Sequence, residues 1–271
     1  MAQVVVVTSG KGGVGKTTTT AALGAAIAQS GQRVAVVDFD VGLRNLDLIM
    51  GAERRVVYDF IYVAQGTVRL SQALIRDKRI ETLFLLAASQ TRDKDALTDD
   101  GVEKVIGELR ETFDWIICDS PAGIERGATL AMRHADAAVV VTNPEVSSVR
   151  DSDRMIGLLD SKTEKARRGE RMEKHLLLTR YNPVRAGRGD MLRVEDVLDI
   201  LSLPLLGIIP ESEDVLRASN LGSPVTLNNP RSAPAKAYAD AAQRLMGVPV
   251  PMEVPGDRNG ILSKLFGRRA A

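Results

Sequence analysis

The 271-residue chain is poor in several things, and each shortage removes a class of protein. Its single cysteine, Cys118, cannot build an intramolecular disulfide framework and points to a reducing compartment. Its two histidines, His134 and His175, lack metal-ligand spacing and read as structural. The formal net charge is +1, so bulk charge argues for neither DNA nor membrane binding. No apolar run approaches the roughly 20 residues that span a bilayer. Met1-Ala2-Gln3 lacks the basic-then-apolar start of a signal peptide. A soluble protein is expected, or one attached to a membrane only at its surface. No Pro/Gly/Ser-rich linker interrupts the middle, and there is no internal repeat or low-complexity segment. One main domain is therefore favoured. No hydrolase triad is suggested.

What is present is 44% hydrophobic residues, enough for a large core, arranged in short bursts. The runs are Val4–Val7, Val34–Val37, Leu83–Leu86, Trp115–Cys118, Ala137–Val141, Leu176–Leu178 and Leu205–Ile209. They are rich in Val, Ile and Leu without strict alternation, as suits strands buried on both faces of a parallel sheet. Helical periodicity fills the intervals Thr17–Ser30, Gly101–Thr112, Ser147–Leu159 and Ala233–Met246. Alternating strands and helices predict a doubly wound, mostly parallel α/β sheet with helices on both faces. Ligands then sit beyond the C-terminal strand ends. The stretch Lys162–Lys174 carries dense charge of both signs and reads as a solvated loop or helix end.

Gly10-Lys11-Gly12-Gly13-Val14-Gly15-Lys16-Thr17 fits the phosphate-loop pattern G-x-x-x-x-G-K-[ST]. It follows a predicted strand and opens a predicted helix, the context that the pattern needs. Its glycines let backbone N–H groups cradle phosphate oxygens; Lys16 supplies a point charge and Thr17, followed by Thr18, a hydroxyl for Mg²⁺. None of those tasks needs Lys11. Asp119 ends the run Trp115–Cys118 and suits a carboxylate holding Mg²⁺ through water; it also suits a helix cap or turn. Asp38 and Asp40 lie two apart on an extended segment and so face the same way. One suits a metal-bound water and the other the attacking water, with solvent-facing caps as the alternative. Asn182, after another strand, and Pro210-Glu211, after the last, are candidates to flank a base, although Asn-Pro is also a turn signal.

The segment Lys11 to Thr18 resembles the deviant Walker A motif of the ParA/MinD ATPases. Further stretches narrow the resemblance to the MinD branch of that family, whose members place the bacterial division site. They are Asp38–Asp47, Arg54–Asp59, Ser89–Asp95, Cys118–Gly123 and Thr142–Glu145. The resemblance runs from residue 3 into the C-terminal tail. It implies an ATPase in which Lys11 crosses a dimer interface to the partner's phosphates, like a finger supplied in trans. It further implies that Gly12 permits close approach of the opposing backbone, that Asp40 positions water, and that Asp38 and Asp119 stand on the metal side. A partner surface is implied at Arg44, Asn45, Glu53, Arg54, Tyr58, Asp93, Lys94, Glu145 and Asp153, contested by the division inhibitor MinC and the activator MinE. The residues alone show only polar loops there. Cys118 supplies too few thiolates for the iron–sulfur branch of the family.

The tail offers a second physical signal. In Gly260–Arg269, Ile261, Leu262, Leu265 and Phe266 share one side of a helical wheel, with Lys264 and Arg268 bordering it. A basic amphipathic helix suits a membrane surface, and the alternative is docking on the protein's own core. The expected division is an ATPase body over 1–250, a Pro/Gly linker over 251–259 and a membrane-targeting helix over 260–271. The resemblance implies a cytoplasmic protein that visits the cytoplasmic face of the inner membrane as a peripheral, ATP-dependent homodimer, without stable nucleic-acid binding. The alternatives are a ParA-type DNA-partitioning ATPase, a nucleotide-dependent scaffold without useful turnover, and a P-loop kinase, for which neither acceptor site nor lid is visible.

Overall fold

The computed structural model describes residues 2–90 and 96–256. Eight strands form one sheet: β1 (Gln3–Thr8), β2 (Val34–Asp38), β3 (Ile75–Arg76), β4 (Leu83–Leu86), β5 (Trp115–Asp119), β6 (Ala137–Thr142), β7 (Glu173–Tyr181) and β8 (Leu205–Pro210). Their order is β3-β4-β2-β5-β1-β6-β7-β8, and every pair is parallel except β3 with β4. The expected doubly wound sheet is thus present, with β6, β7 and β8 on one side of β1 and β5, β2, β4 and β3 on the other. The seven expected runs each lie within or make up a strand, and β3, two residues long, adds an antiparallel edge.

The unbroken apolar character of the central strands has a direct packing reason. Along β1, Val4 and Val6 enter one core while Val5 and Val7 enter the core on the opposite face. Helices Asp99–Thr112, Arg126–Arg133 and Val146–Lys162 cover the first face; helices Lys16–Gln29 and Ala233–Leu245 cover the second. A third, smaller core forms at the β7–β8 end beneath helices Pro183–Arg188 and Val194–Leu201. The charged stretch Lys162–Lys174 resolves into the end of one helix, the short helix Glu164–Arg167 and the start of β7. It is anchored: Glu164 pairs with Arg133 at 3.0 Å and the Lys165 ammonium donates to the Asp136 carbonyl at 3.0 Å.

The stretch expected as a linker, 251–259, is described as far as Gly256, and over that length it is packed against the body. Met252 and Val254 are buried in the third core. The rest of it, the whole amphipathic segment with Ile261, Leu262, Lys264, Leu265 and Phe266, and the surface candidates Asp93 and Lys94 lie outside the described residues. Among the described residues no helix is long and apolar enough to cross a membrane.

Candidate nucleotide site

The site grows out of β1. A buried apolar strand stops at Thr8, a glycine-rich loop comes next, and helix Lys16–Gln29 begins at Lys16. Gly13 and Gly15 have φ of +76° and +97°, a region that costs glycine almost nothing. Gly15 occupies the N-cap position, so no side chain caps this helix, and its first turn holds no acidic residue. The free N–H groups and the positive end of the helix dipole suit an anion. Gly10 is required for a different reason. A Cβ there would stand 2.1 Å from the Asp151 carbonyl oxygen, so the start of the loop lies against helix Val146–Lys162. Nothing within the chain demands glycine at 12, where an added Cβ meets only Ala122 at 3.8 Å.

The two lysines of the loop go to different places. The Lys16 ammonium is buried and donates to Ser9 Oγ at 3.0 Å. Burial lowers its pKa, opposed by the charges of Asp119 and Asp40. Ser9 Oγ in turn donates to the Lys11 carbonyl at 2.7 Å, joining the two ends of the loop. The Lys11 ammonium is exposed at the rim, 3.0 Å from Ser147 Oγ and 3.5 Å from Glu145 Oε2.

Behind the loop, Asp38 and Asp119 are register partners at the C-terminal ends of β2 and β5, both buried. Asp38 accepts the N–H groups of Asp40 at 2.9 Å and Leu46 at 3.3 Å. Asp119 accepts the Thr20 hydroxyl at 3.2 Å and a hydrogen bond from the half-buried Thr17. Burial, then the Asp119 charge, pushes the Asp38 carboxyl well above its ordinary range. Burial pushes Asp119 up to about 7 against the Thr17, Lys16 and Thr20 contacts. Two buried carboxylates beside one ammonium leave the pocket short of positive charge. That imbalance, with a hydroxyl and carboxylates as hard oxygen donors, fits Mg²⁺. Among the described residues no group of three or more His, Cys, Asp or Glu forms a protein-only metal cage. Asp40 is half-buried in the same cluster, its charge felt by Lys16, Asp38 and Asp119. Thr18 lies half-buried on the first helical turn.

Asn182, Pro210 and Glu211 come together at the ends of β7 and β8. Asn182 Nδ2 donates to Glu211 Oε2 at 3.1 Å, and the Glu211 N–H donates to the Tyr181 carbonyl at 2.9 Å. Asn182 Oδ1 also caps helix Pro183–Arg188 by accepting from Val184 and Arg185. The turn reading of Asn-Pro and the pairing with Glu211 are therefore both present. Just before, Arg180 takes φ +54° and the β7–β8 register shifts. A left-handed non-glycine residue at a strand end redirects the backbone, here into Tyr181 and Asn182.

Thr179, on β7, carried no sequence signal, since a threonine in a strand reads as an ordinary β former. Its buried hydroxyl lies 2.7 Å from the Val14 carbonyl and 2.8 Å from Asn143 Oδ1. One hydroxyl proton serves Val14; the second contact is satisfied when the Asn143 amide turns its nitrogen toward Thr179. The tip of the loop is thereby fastened to β7, and Thr19 fastens the adjoining helix to Tyr238 at 3.2 Å.

The surface candidates fall in two groups. Arg44, Asn45, Glu53, Arg54 and Tyr58 come after β2; Glu145 and Asp153 belong to the start of helix Val146–Lys162. Asn45, Glu53, Arg54, Glu145 and Asp153 are exposed. Arg44, at φ +45°, is held 2.7 Å from the buried Asp47, and Tyr58 packs edge-on against Tyr62. Leu43 and Ile124, on loops after β2 and β5, and Val146, first residue of the helix after β6, are large apolar residues left exposed.

This end of the sheet is built to hold a phosphate chain, which places the chain in the class of P-loop nucleotide-binding proteins. The family described as the CobQ/CobB/MinD/ParA nucleotide binding domain matches residues 5–225. The chain is similar to the septum site-determining protein MinD of Escherichia coli strain K12, 59% identical over 270 residues that cover 98% of this chain and 100% of that one. In structure it is similar to the MinC:MinD cell division protein complex of Aquifex aeolicus, at 42% identity and TM-score 0.85 over 94% and 100% of the two chains. It is also similar to the septum site-determining protein MinD of Pyrococcus horikoshii complexed with Mg-ADP, at 28% identity and TM-score 0.80 over 97% and 99%. The chain belongs to the CobQ/CobB/MinD/ParA family, and within it to the MinD septum site-determining ATPases.

Proposed function

We propose that the chain is an ATP-driven membrane switch for septum placement. It binds ATP with Mg²⁺, pairs with a second copy across the two nucleotides, recruits MinC at an anionic membrane surface, and is discharged by MinE. It cycles between the cytoplasm and the cytoplasmic face of the inner membrane. The observation that carries this is the divergence of the two loop lysines: one buried at its own phosphate loop, the other exposed at the rim. The relatives whose descriptions name MinC and Mg-ADP support the partner and the ligand.

In this reading, the N–H groups from Gly10 to Thr18 and the Lys16 ammonium hold the phosphates. Asn182, Pro210 and Glu211 flank the base. Thr17, with Asp38 and Asp119 behind it, would hold Mg²⁺, which neutralises phosphate charge. Phosphoryl transfer to water needs positioning more than covalent chemistry, so Asp40 acts by aligning the attacking water. Lys11 leaves Ser147 and Glu145 to reach the partner's phosphates. Its exposed ion pair is worth about 0–1 kcal/mol, so little holds it back. Gly12, unneeded inside the chain, gives the partner backbone room. Loss of the γ-phosphate removes what Lys11 grips and the pair separates.

The tail, through Ile261, Leu262, Lys264, Leu265 and Phe266, makes the membrane contact conditional. Four apolar side chains, half buried in lipid, contribute roughly 3–6 kcal/mol. Each basic residue adds about 1 kcal/mol, against several for ordering the segment. One tail binds weakly, and two on one dimer gain about 10²–10⁴ in avidity. The test is phosphate release by the full chain with Mg-ATP, anionic vesicles and MinE. Severalfold stimulation that requires both additions is expected; a rate indifferent to them favours a nucleotide-binding scaffold.

A further inference from the structure

Beyond helix Ala233–Leu245 the chain does not leave the body. Residues 249–256 run back beside β8, the last strand of the sheet, toward its C-terminal end. Prolines at 249, 251 and 255 remove donors that would pair with β8, so the edge is covered without being extended. The stretch still alternates as a strand does: Met252 and Val254 are buried in the third core while Pro251 and Glu253 face outward. At its start, Arg244 clamps it through backbone oxygens. The guanidinium donates to the Val250, Pro251 and Leu206 carbonyls at 3.0, 2.7 and 2.8 Å. At its end, Gly256 has φ +88° and lies so close to Pro183 that a Cβ would stand 2.5 Å from Pro183 Cβ. Pro183 comes directly after Asn182, which holds Glu211 at the candidate nucleotide site.

From this geometry we infer that residues 249–256 are a docked strap that fixes where the C-terminal tail leaves the body, beside the nucleotide end of β7. The inference rests on the tail being the membrane anchor. Its consequence is a shorter tether. From Gly256 to Gly260, where the amphipathic segment begins, is four peptide steps, at most ~14 Å; from Val248 it would be twelve, at most ~43 Å. Effective concentration falls as about the −3/2 power of tether length, so undocking the strap lowers that of the second tail about fivefold. The strap makes paired tails cooperate, and Gly256 and Arg244 are its positioning residues.

The test compares the full chain with Gly256→Val, which collides with Pro183 at an unfavourable φ, and with a Met252→Ser, Val254→Ser double variant. Three readouts are taken: resistance of 248–256 to limited proteolysis, fluorescent ATP-analogue binding, and ATP-dependent sedimentation with vesicles of phosphatidylglycerol and phosphatidylethanolamine. Both variants should lose protease protection in the strap, keep nucleotide affinity within about twofold, and need about fivefold more lipid for half-sedimentation. Lys236→Ala, which removes only the exposed pair with Glu253, should behave as the parent. Lost protection with unchanged lipid affinity overturns the strap's role, and no protection in the parent overturns its docking. Sedimentation of a chain ended after residue 259 would instead overturn the tail reading, and this inference with it.

Discussion

At the scale of single residues, charge decides the behaviour of the site. Asp38 and Asp119 are held with raised pKa values in the folded chain, Asp119 at about 7, against an ordinary value near 3.8. The folded state therefore binds more protons than the unfolded state across that interval, and stability must fall as pH rises through it. Thermal unfolding of the nucleotide-free chain should show a lower midpoint at pH 8 than at pH 5. Asp38→Asn should flatten that slope and raise the midpoint at pH 8, while Mg-ATP binding weakens. Lys11→Ala removes one exposed ion pair and should leave monomer stability within about 1 kcal/mol and nucleotide binding near normal. Gel filtration with ATP should find its dimer lost. A variant that dimerises normally would deny Lys11 its role in trans.

At the scale of elements, the phosphate loop is only as rigid as its neighbours make it. Thr179→Val keeps the shape of the side chain but strips the Val14 carbonyl of its donor, a loss of about 1–2 kcal/mol for a buried acceptor. Lower thermal stability and severalfold weaker ATP binding should appear together; full ATP affinity would show that the loop holds its shape unaided. Gly10→Ala drives a Cβ into the Asp151 backbone and should cost about 1–3 kcal/mol. These elements were unequally legible beforehand. The central strands were plain because valine, isoleucine and leucine run unbroken where both faces are covered. β7 was seen only as Leu176–Leu178, since Glu173–His175 and Thr179–Tyr181 put polar side chains at its ends. β3 has two residues and no periodicity to read. The P-loop lysine and strand-end aspartates announced themselves by motif and position. Ser9, Thr179 and Asn143 did not, because a hydroxyl holding a backbone carbonyl, or an amide holding that hydroxyl, leaves no pattern in the sequence. The strap was hidden for a related reason: proline every few residues reads as a linker, whereas here it shapes an extended, packed edge.

At the scale of the whole molecule, the features converge on one end of the sheet. The phosphate loop, the carboxylate pair, Asn182 with Glu211, and Gly256 against Pro183 all lie at or beside the C-terminal strand ends. Exposed Leu43, Ile124 and Val146 come after strands β2, β5 and β6, apolar surface that pairing of two copies would cover. Ending the chain after residue 259 should leave ATP binding intact and abolish vesicle sedimentation. The central claim is that ATP joins two copies through facing phosphate loops. Its most direct measurement is the solution mass of Asp40→Ala, which should bind ATP without consuming it, with Mg-ATP and with Mg-ADP. The account predicts twice the chain mass with ATP and the single-chain mass with ADP; a monomer at high concentration with ATP would contradict it.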